Sequence, residues 1–556
     1  MAKRKRRLAK KDDRISDKNE QDLSTALKEL REIVSRMPGT NKYDYETVIE
    51  SSTNRLFAID AVANFIGSHA EILFRNSMIS DVNEYYAHIQ YLCRIGTEII
   101  SSGNNGGAAI ENKTACNLYM AYGNALTRSG RIFAAIDSYY KAINYAEKMD
   151  DDEDEMETKM RANRLLYNRI WGMGKLLPAC DYDIFFKHDD NPPIRMRSDN
   201  IIYCLLFDVF DLSKKTEQMQ KDQLMHIRNP DYIEDYDDGA FLKWIESAFP
   251  FMEKIIKSPP KLPMPFRTNG EREYRHWVMR EHLFLSVFNM LPTIDDRPMM
   301  DDIFCDFQGD NREMQIALFD DIKQSFAYAR YQYYSCVDSR MNINAYSKPH
   351  FSLKLDHDGR TPIAAHGFTE VQELIECYMR LYSILDKIGN LMNSVHDLKI
   401  GSKNKKEKPS IRTVASVIDS LSDNPFLVQM KTIFMETNPE YAEDSHEMPF
   451  YIPMPSAMHM DSVRNHLAHI GLGFVSDENE DKVSDDVVQY ITWSEFLILT
   501  DHLMSIVKEA IFTVWASVNY ISFSPEMKKK LKSLLFDNKF ALLMKYDLLL
   551  NISKRE

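Results

Sequence analysis

Over most of the chain, apolar residues recur three and four positions apart, which is the spacing of one face of an α-helix. This pattern is almost continuous over residues 23–177, where glycine-rich and acidic segments at 103–107 and 150–155 separate the helical stretches. It returns after a proline cluster, PPKLPMP, at residues 259–265. Later helices are predicted at residues 271–289, 312–337, 369–392, 413–435 and 493–518. The pattern therefore predicts an all-α fold.

Composition narrows the class of protein. The 556 residues include only 19 Gly and 21 Pro, few for the turns of β-sandwiches, propellers and glycine-rich nucleotide folds. Hydrophobic residues at 44% and charged residues at 27% are typical of a soluble protein that buries several cores. The chain has no run of about 18 apolar residues, and its basic N-terminus lacks the apolar segment of a secretory signal. We therefore expect a cytoplasmic protein that does not contact a membrane.

The same patterns divide the chain into five parts. Residues 1–20 are a charged, basic tail that we expect to be disordered, and residues 21–177 form a helical repeat domain. A helical connecting region is predicted over 178–264, up to the proline cluster. We expect a helical bundle at 265–522 and a C-terminal helical extension at 523–556.

One segment of the repeat domain, YMAYGNALTRSGRIFAAIDSYYKAINYAEK at residues 119–148, resembles a tetratricopeptide repeat. Gly123 and Ala135 stand where the two helices of such a repeat approach closely, and Tyr139 fills the space between them. The alternative is a generic helical hairpin with the same small residues. Since stacked helical repeats commonly bind protein or peptide on a concave face, we expect a protein partner here.

Familiar catalytic motifs are absent from the chain: it has no GxxxxGK[ST], no GxGxxG after a strand, no HExxH and no GxSxG. The seven cysteines form no CxxC pair, which favours reduced thiols over structural zinc. We therefore expect neither a metal nor an organic cofactor.

The remaining candidate is RNHLAH at residues 464–469. The guanidinium of Arg464 is permanently charged and suited to phosphate oxygens, and a histidine such as His469 can move a proton near neutral pH. Five residues of an ideal α-helix turn about 140°, so Arg464 and His469 share no face unless the helix is short or a second copy faces it. One alternative is that Arg464 pairs with an acidic residue while His469 caps the last turn of the helix. Another is that His459, His466 and His469 hold a metal.

RNHLAH resembles the R-N-x-x-x-H form of the motif of the HEPN superfamily (higher eukaryotes and prokaryotes nucleotide-binding), whose members are helical bundles and often metal-independent endoribonucleases. YRHWVMREHLFLSVFNML at 274–291 and NPFLVQMKTIF at 424–434 resemble the prokaryotic branch that carries N-terminal tetratricopeptide repeats. The resemblance implies that Arg464 stabilises the reacting phosphate and that His469 is a general base or acid. It further implies that Asn465 orients the pair or donates to phosphate.

RNA binding requires a local positive field, because the net charge of the chain is −14. The loop GSKNKKEKPSIR at residues 401–412 offers one, with a solvated loop as the alternative. Its candidate RNA-binding residues are Lys403, Lys405, Lys406, Lys408 and Arg412. The aromatic segment YARYQYYSC, residues 328–336, has helical spacing and is predicted to be core.

These observations predict a ribonuclease that cuts RNA by attack of the ribose 2′-OH, with phage defence or toxin-like growth arrest implied by the resemblance. Cleavage needs a base for the nucleophile, an acid for the leaving oxygen and a positive charge that stabilises the phosphate between them. Two copies of RNHLAH across a twofold axis supply all three, so we expect a homodimer. The isolated C-terminal half is expected to keep its chemistry. The alternative function is a non-catalytic adaptor that binds protein or nucleotide.

Overall fold

A computed structural model describes most of the helical part of the chain. The described residues are 49, 52, 54–75, 79–103, 109–129, 131–149, 184–188, 191–196, 268–286, 301, 303–305, 307–338, 369–400, 409–418, 424–437, 457–470, 472–475, 489–522, 525 and 528. Most of them are helical, which confirms the all-α prediction. The predicted tail, most of the connecting region and nearly all of the C-terminal extension lie outside the described residues.

The elements follow the chain in this order. The N-terminal helices are α1 (Arg55–Arg75), α2 (Ile79–Ser102), α3 (Asn112–Arg128) and α4 (Ile132–Ala146), followed by the strands β1 (Ile184–His188) and β2 (Asn191–Met196). The C-terminal elements are α5 (Asn269–Arg280), α6 (Arg312–Asp338), α7 (Thr369–Val395), α8 (Ile411–Val417), α9 (Pro425–Glu436), α10 (Ala457–Asn465), a π-helix (His466–Ile470), β3 (Leu472–Val475), β4 (Gln489–Thr492) and α11 (Trp493–Ser522).

The four N-terminal helices pack as successive neighbours. Helices α3 and α4 approach closely at Gly123, where an added Cβ would lie 2.5 Å from the ring of Tyr139. Tyr139 and Ala135 are fully buried between the helices, and the Tyr139 hydroxyl donates to Asn124 at 2.7 Å. The predicted helix pair is therefore present, with small and large residues in the expected places, while its identity as a tetratricopeptide repeat stays a prediction.

Part of the predicted helical connecting region is a β-hairpin. Strands β1 and β2 pair antiparallel, with Ile184 opposite Met196 and a register shift between Phe186 and His188. Only Asp189 and Asp190 separate the strands, a length typical of hairpins. The short apolar run of β1 suits a strand, and the two prolines of β2 disfavour a helix interior, so the helical prediction is wrong for 184–196.

The C-terminal bundle is built around α11, which is buried on all sides from Ile506 to Tyr520. Helices α6 and α7 pack together, and α7 and α9 both pack on α11. Both predicted helices at 312–337 and 493–518 are confirmed within a few residues. Among the described helices, none combines the length and apolarity that crossing a bilayer requires.

The first predicted helix of the C-terminal bundle ends earlier than expected. The helix predicted at 271–289 stops at Arg280, because His282 adopts a left-handed conformation with φ 54° and its neighbour Leu283 donates back to Val278. The buried guanidinium of Arg330 on α6 then binds the Leu283 carbonyl at 2.7 Å and forms an ion pair with Asp301. These contacts fix the chain that follows α5 against α6.

The helix predicted at 413–435 is two helices. Ser410 and Thr413 form a capping box that starts α8, which ends at Val417. The side chain of Asn424 then accepts from the Phe426 amide at 3.1 Å and starts α9, whose first residue is a proline. The continuous apolar pattern concealed this break.

The N-terminal helices share one core with the bundle. Leu126, Phe133 and Tyr140 belong to the same buried cluster as residues of α5 to α11, and the ring of Phe133 stacks on Phe512 at 5.5 Å. Removal of α3 and α4 would expose part of this core. The independence of the C-terminal half stays a prediction, and the shared core counts against it.

Buried ion pairs also connect the N-terminal helices to α11. Arg131, at the start of α4, is 2% exposed and binds Glu509 of α11 through two bonds of 2.9 and 2.5 Å. Lys508, 4% exposed, pairs with Asp137 of α4 at 2.6 Å. Both ion pairs therefore join α4 to α11 within the contact between the two parts.

Candidate active site

The RNHLAH segment lies where a helix changes into a strand. Helix α10 ends at Asn465, the π-helix covers His466–Ile470, and β3 begins at Leu472. Strand β3 pairs in parallel with β4, which runs directly into α11. The helix begins at Ala457, seven residues before Arg464. The segment is thus held at both of its ends, by α10 and by a strand pair.

Helix α10 is anchored on α7 by buried side chains. Met460 and Val463 are fully buried, and the hydroxyl of Tyr378 donates to the Met460 carbonyl at 2.9 Å. Burial raises the pKa of Tyr378 well above its ordinary value, so the hydroxyl keeps the proton that it donates. The ring of Tyr378 also packs on Phe496 of α11. These contacts fix the position of the helix that carries Arg464.

Arg464 lies between a carboxylate and an aromatic ring. Its Nη1 atom is 3.9 Å from Oδ1 of Asp461, and its guanidinium carbon is 5.5 Å from the ring centre of Tyr382. The 3.9 Å separation is too long for a hydrogen bond, and the side chain is 37% exposed. The predicted alternative, in which Arg464 pairs with an acidic residue, is thus present as a loose ion pair, and the side chain stays partly exposed.

Asn465 shares the same carboxylate. Its Nδ2 atom donates to Oδ2 of Asp461 at 3.1 Å. The structure therefore brings two of the three predicted site residues, Arg464 and Asn465, to the two oxygens of one aspartate.

The third predicted residue, His469, lies in the π-helix, and its side chain is outside the described part of the structure. A π-helix bonds i to i+5 and turns less per residue than an α-helix, and such segments are frequent at functional sites. The angle between positions 464 and 469 is therefore smaller than the about 140° of an ideal α-helix. Positions 464 and 469 are therefore closer to sharing one face of the helix than expected from the sequence.

His466 is held by its own helix. Its Nδ1 atom lies 2.8 Å from the carbonyl oxygen of Ser462, so Nδ1 carries the proton and donates it. Within the part of the chain that the structure describes, no group of three His, Cys, Asp or Glu side chains is arranged to hold a metal ion. The His466 side chain thus binds its own helix, while the side chains of His459 and His469 lie outside the described part of the structure, so the metal alternative stays untested.

The predicted RNA-binding loop is described only at its end. Lys403, Lys405, Lys406 and Lys408 lie outside the described residues, and Arg412 is placed in α8 by its backbone alone. This part of the site stays a prediction.

The aromatic segment at 328–336 is only partly core. Tyr333 is 8% exposed, whereas Tyr328 and Tyr331 are 53% and 51% exposed. They stand on the outer stripe of α6, where Arg380 of α7 covers the ring of Tyr328 at 4.5 Å. The core prediction is wrong for these two tyrosines, because helical spacing alone does not distinguish a buried face from an outer one.

Sequence reasoning missed Asp461 and Tyr382. Asp461 stands three and four positions before Arg464 and Asn465, which is the spacing of one helix face, so its role was visible in DSVRN. Tyr382 comes from a distant helix and has no such signal.

A comparison with known protein families finds a match. Residues 308–520 match the family model described as LA2681-like HEPN. The matched segment begins just before α6 and contains Arg464, Asn465 and His469, while the N-terminal helices lie outside it. No curated protein and no solved structure matches the chain. The match supports a member of the HEPN superfamily, a group of helical proteins that includes ribonucleases.

Proposed function

We propose that this protein is a metal-independent endoribonuclease of the HEPN type. The observation that carries the proposal is the placement of Arg464, accessible and held loosely, beside Asn465 at the end of α10. These residues open the RNHLAH segment within the region that matches the HEPN family model.

The proposed reaction is a transesterification within RNA. The ribose 2′-oxygen loses its proton to a base and bonds to the adjacent phosphorus, while the bond from phosphorus to the 5′-oxygen breaks and an acid protonates that oxygen. The products are a 2′,3′-cyclic phosphate and a 5′-hydroxyl. Arg464 stabilises the added charge on the phosphorane, His469 is the base or the acid, and Asn465 orients or donates to the phosphate.

The test incubates the purified full chain with total RNA in EDTA. We expect cleavage by the wild type and a decrease of at least about 100-fold in Arg464→Ala and His469→Ala, since each removes a charge contact or a proton-transfer group. Arg280→Ala is the matched control, because Arg280 is 70% exposed on α5 and its ion pair with Glu281 lies on the surface. Its activity should equal that of the wild type.

Absence of cleavage by folded wild-type protein contradicts the nuclease and favours the non-catalytic adaptor. If Arg464→Ala and His469→Ala lose their thermal stability, the two residues are structural. Cleavage that continues in both variants would place the chemistry elsewhere.

We also propose that the active form is a homodimer with two RNHLAH segments across a shared cleft. Such a pair supplies the base, the acid and the charge that one segment provides only in part. An excess of His469→Ala chains mixed with wild type should decrease activity below the level expected from dilution. Full activity of a monomer at nanomolar concentration contradicts the dimer.

The biological setting that we propose is phage defence or toxin-like growth arrest, with a protein partner docking on the N-terminal helices. Expression of the wild type should then slow growth, and Arg464→Ala should restore it. Growth arrest that persists in Arg464→Ala would separate the phenotype from this site.

A further inference from the structure

Asp461 contacts both described residues of the candidate site. Its side chain is 18% exposed, Oδ2 accepts from Nδ2 of Asn465 at 3.1 Å, and Oδ1 lies 3.9 Å from Nη1 of Arg464. Each oxygen of the carboxylate therefore faces a different partner.

The two contacts differ in kind. The bond to Asn465 has normal hydrogen-bond length and fixes the amide, so that its Oδ1 end points away from Asp461. The contact with Arg464 is electrostatic and leaves the guanidinium donors unoccupied by Asp461. Tyr382 restricts the same guanidinium through its ring. Asp461 thus orients one residue and holds the other near its place without blocking it.

We propose that Asp461 is a positioning residue for RNA cleavage, acting through Arg464 and Asn465. This inference rests on the proposed function of the same site. It assigns Asp461 no contact with the reacting atoms: the carboxylate aligns the groups that meet the phosphate.

A charge argument separates this role from a purely structural one. A carboxylate beside a phosphate site repels the incoming RNA, since both are anionic. Removal of that charge should leave RNA binding unchanged or make it tighter. The same removal frees Arg464 and Asn465 to adopt unproductive orientations, and misplacement of about 1 Å can decrease a rate by about 100-fold. Turnover is therefore expected to fall without any loss of RNA binding.

The experiment compares Asp461→Asn, Asp461→Ala and Asp461→Glu in the full chain, with a single-stranded RNA oligonucleotide that the wild type cuts. Asparagine keeps the size of the side chain but has one acceptor oxygen where aspartate has two. We expect kcat to fall about 10- to 100-fold in Asp461→Asn and Asp461→Ala, with an RNA Kd no weaker than that of the wild type. Asp461→Glu should keep most of kcat, because a longer carboxylate still reaches positions three and four residues later on the helix.

The matched control is Asp397→Asn, which removes a carboxylate that is 83% exposed at the end of α7. It should change neither kcat nor Kd. Full kcat in Asp461→Asn, with an inactive Arg464→Ala, overturns this inference and leaves the proposed function intact. A parallel loss of kcat, RNA binding and thermal stability in Asp461→Asn also overturns it, because Asp461 then only supports the fold. If the wild type cuts no RNA, the proposed function itself fails.

Discussion

Replacing Arg131 by methionine should destabilise the whole protein, although this residue lies far in sequence from the bundle that it stabilises. Arg131 opens α4, where the helix dipole disfavours a cation, and its side chain is 2% exposed. Its charge is therefore compensated by Glu509 on α11, which is 4% exposed. Arg131→Met leaves that carboxylate buried without its principal partner.

Breaking one side of a buried ion pair costs about 3 to 5 kcal/mol. The N-terminal helices and the bundle together form a cooperative unit of about 250 to 500 residues, for which each kcal/mol lowers Tm by about 1 to 2 °C, so the expected decrease in Tm is about 3 to 10 °C. The pair itself is not expected to contribute that much net stability, because burial of two charges costs most of what their attraction returns. The double variant Arg131→Met with Glu509→Leu should therefore recover most of the lost Tm.

The assay is thermal unfolding of the full chain, followed by circular dichroism and by tryptophan fluorescence. Arg280→Met is the matched control, because its pair with Glu281 has the same residue types but is exposed, and it should shift Tm by less than about 2 °C. An equal shift in Arg131→Met and Arg280→Met would refute the reasoning. So would two separate transitions in the wild type, because the shared core requires the N-terminal helices and the bundle to unfold together.

Gly123→Ala should lower the free energy of unfolding by about 1 to 3 kcal/mol, because the new methyl group meets the buried ring of Tyr139. Gly270→Ala is the control: there is open space around Gly270, so this variant should have unchanged or higher stability in the same unfolding measurement. Burial raises the pKa of Glu98 from 4.5 to about 7, so the contribution of Glu98 to stability is present at low pH and is lost as the pH rises through 7. When the free energy of unfolding is measured as a function of pH, Glu98→Gln should not show this loss. Burial lowers the pKa of His502 from 6.5 to about 3, so His502→Gln should remove the loss of stability that protonation causes as the pH falls through this range.

Long helices were predictable from the sequence because each carries an unbroken apolar face. Helices α6 and α11 begin within a residue of their predicted starts at 312 and 493. Breaks were harder to predict, since they depend on individual hydrogen bonds. Ser410 and Asn424 start two helices where the apolar pattern indicated one. Such local caps outweigh a continuous pattern only when the tertiary packing allows the chain to turn there.

The candidate site likewise has features that the sequence predicts and features that it does not. Arg464 and Asn465 were identified from the motif, and their shared contact with Asp461 follows from helical spacing. The π-helix was not predictable, because its register depends on backbone hydrogen bonds that no residue type specifies. The contact between Arg464 and Tyr382 joins α10 to α7 and depends on the packing of helices distant in sequence.

The position of α11 links the N-terminal helices to the candidate site. At its start, α11 continues from β4, which pairs with the strand that follows the RNHLAH segment. Further along, Lys508 and Glu509 bind Asp137 and Arg131 of the N-terminal part. The same helix thus supports the site at one end and the N-terminal helices along its length. Deletion of the N-terminal helices would therefore disturb the support of Arg464 as well as any partner surface, and substitutions at exposed positions of α1 to α4 are the sounder test of partner docking.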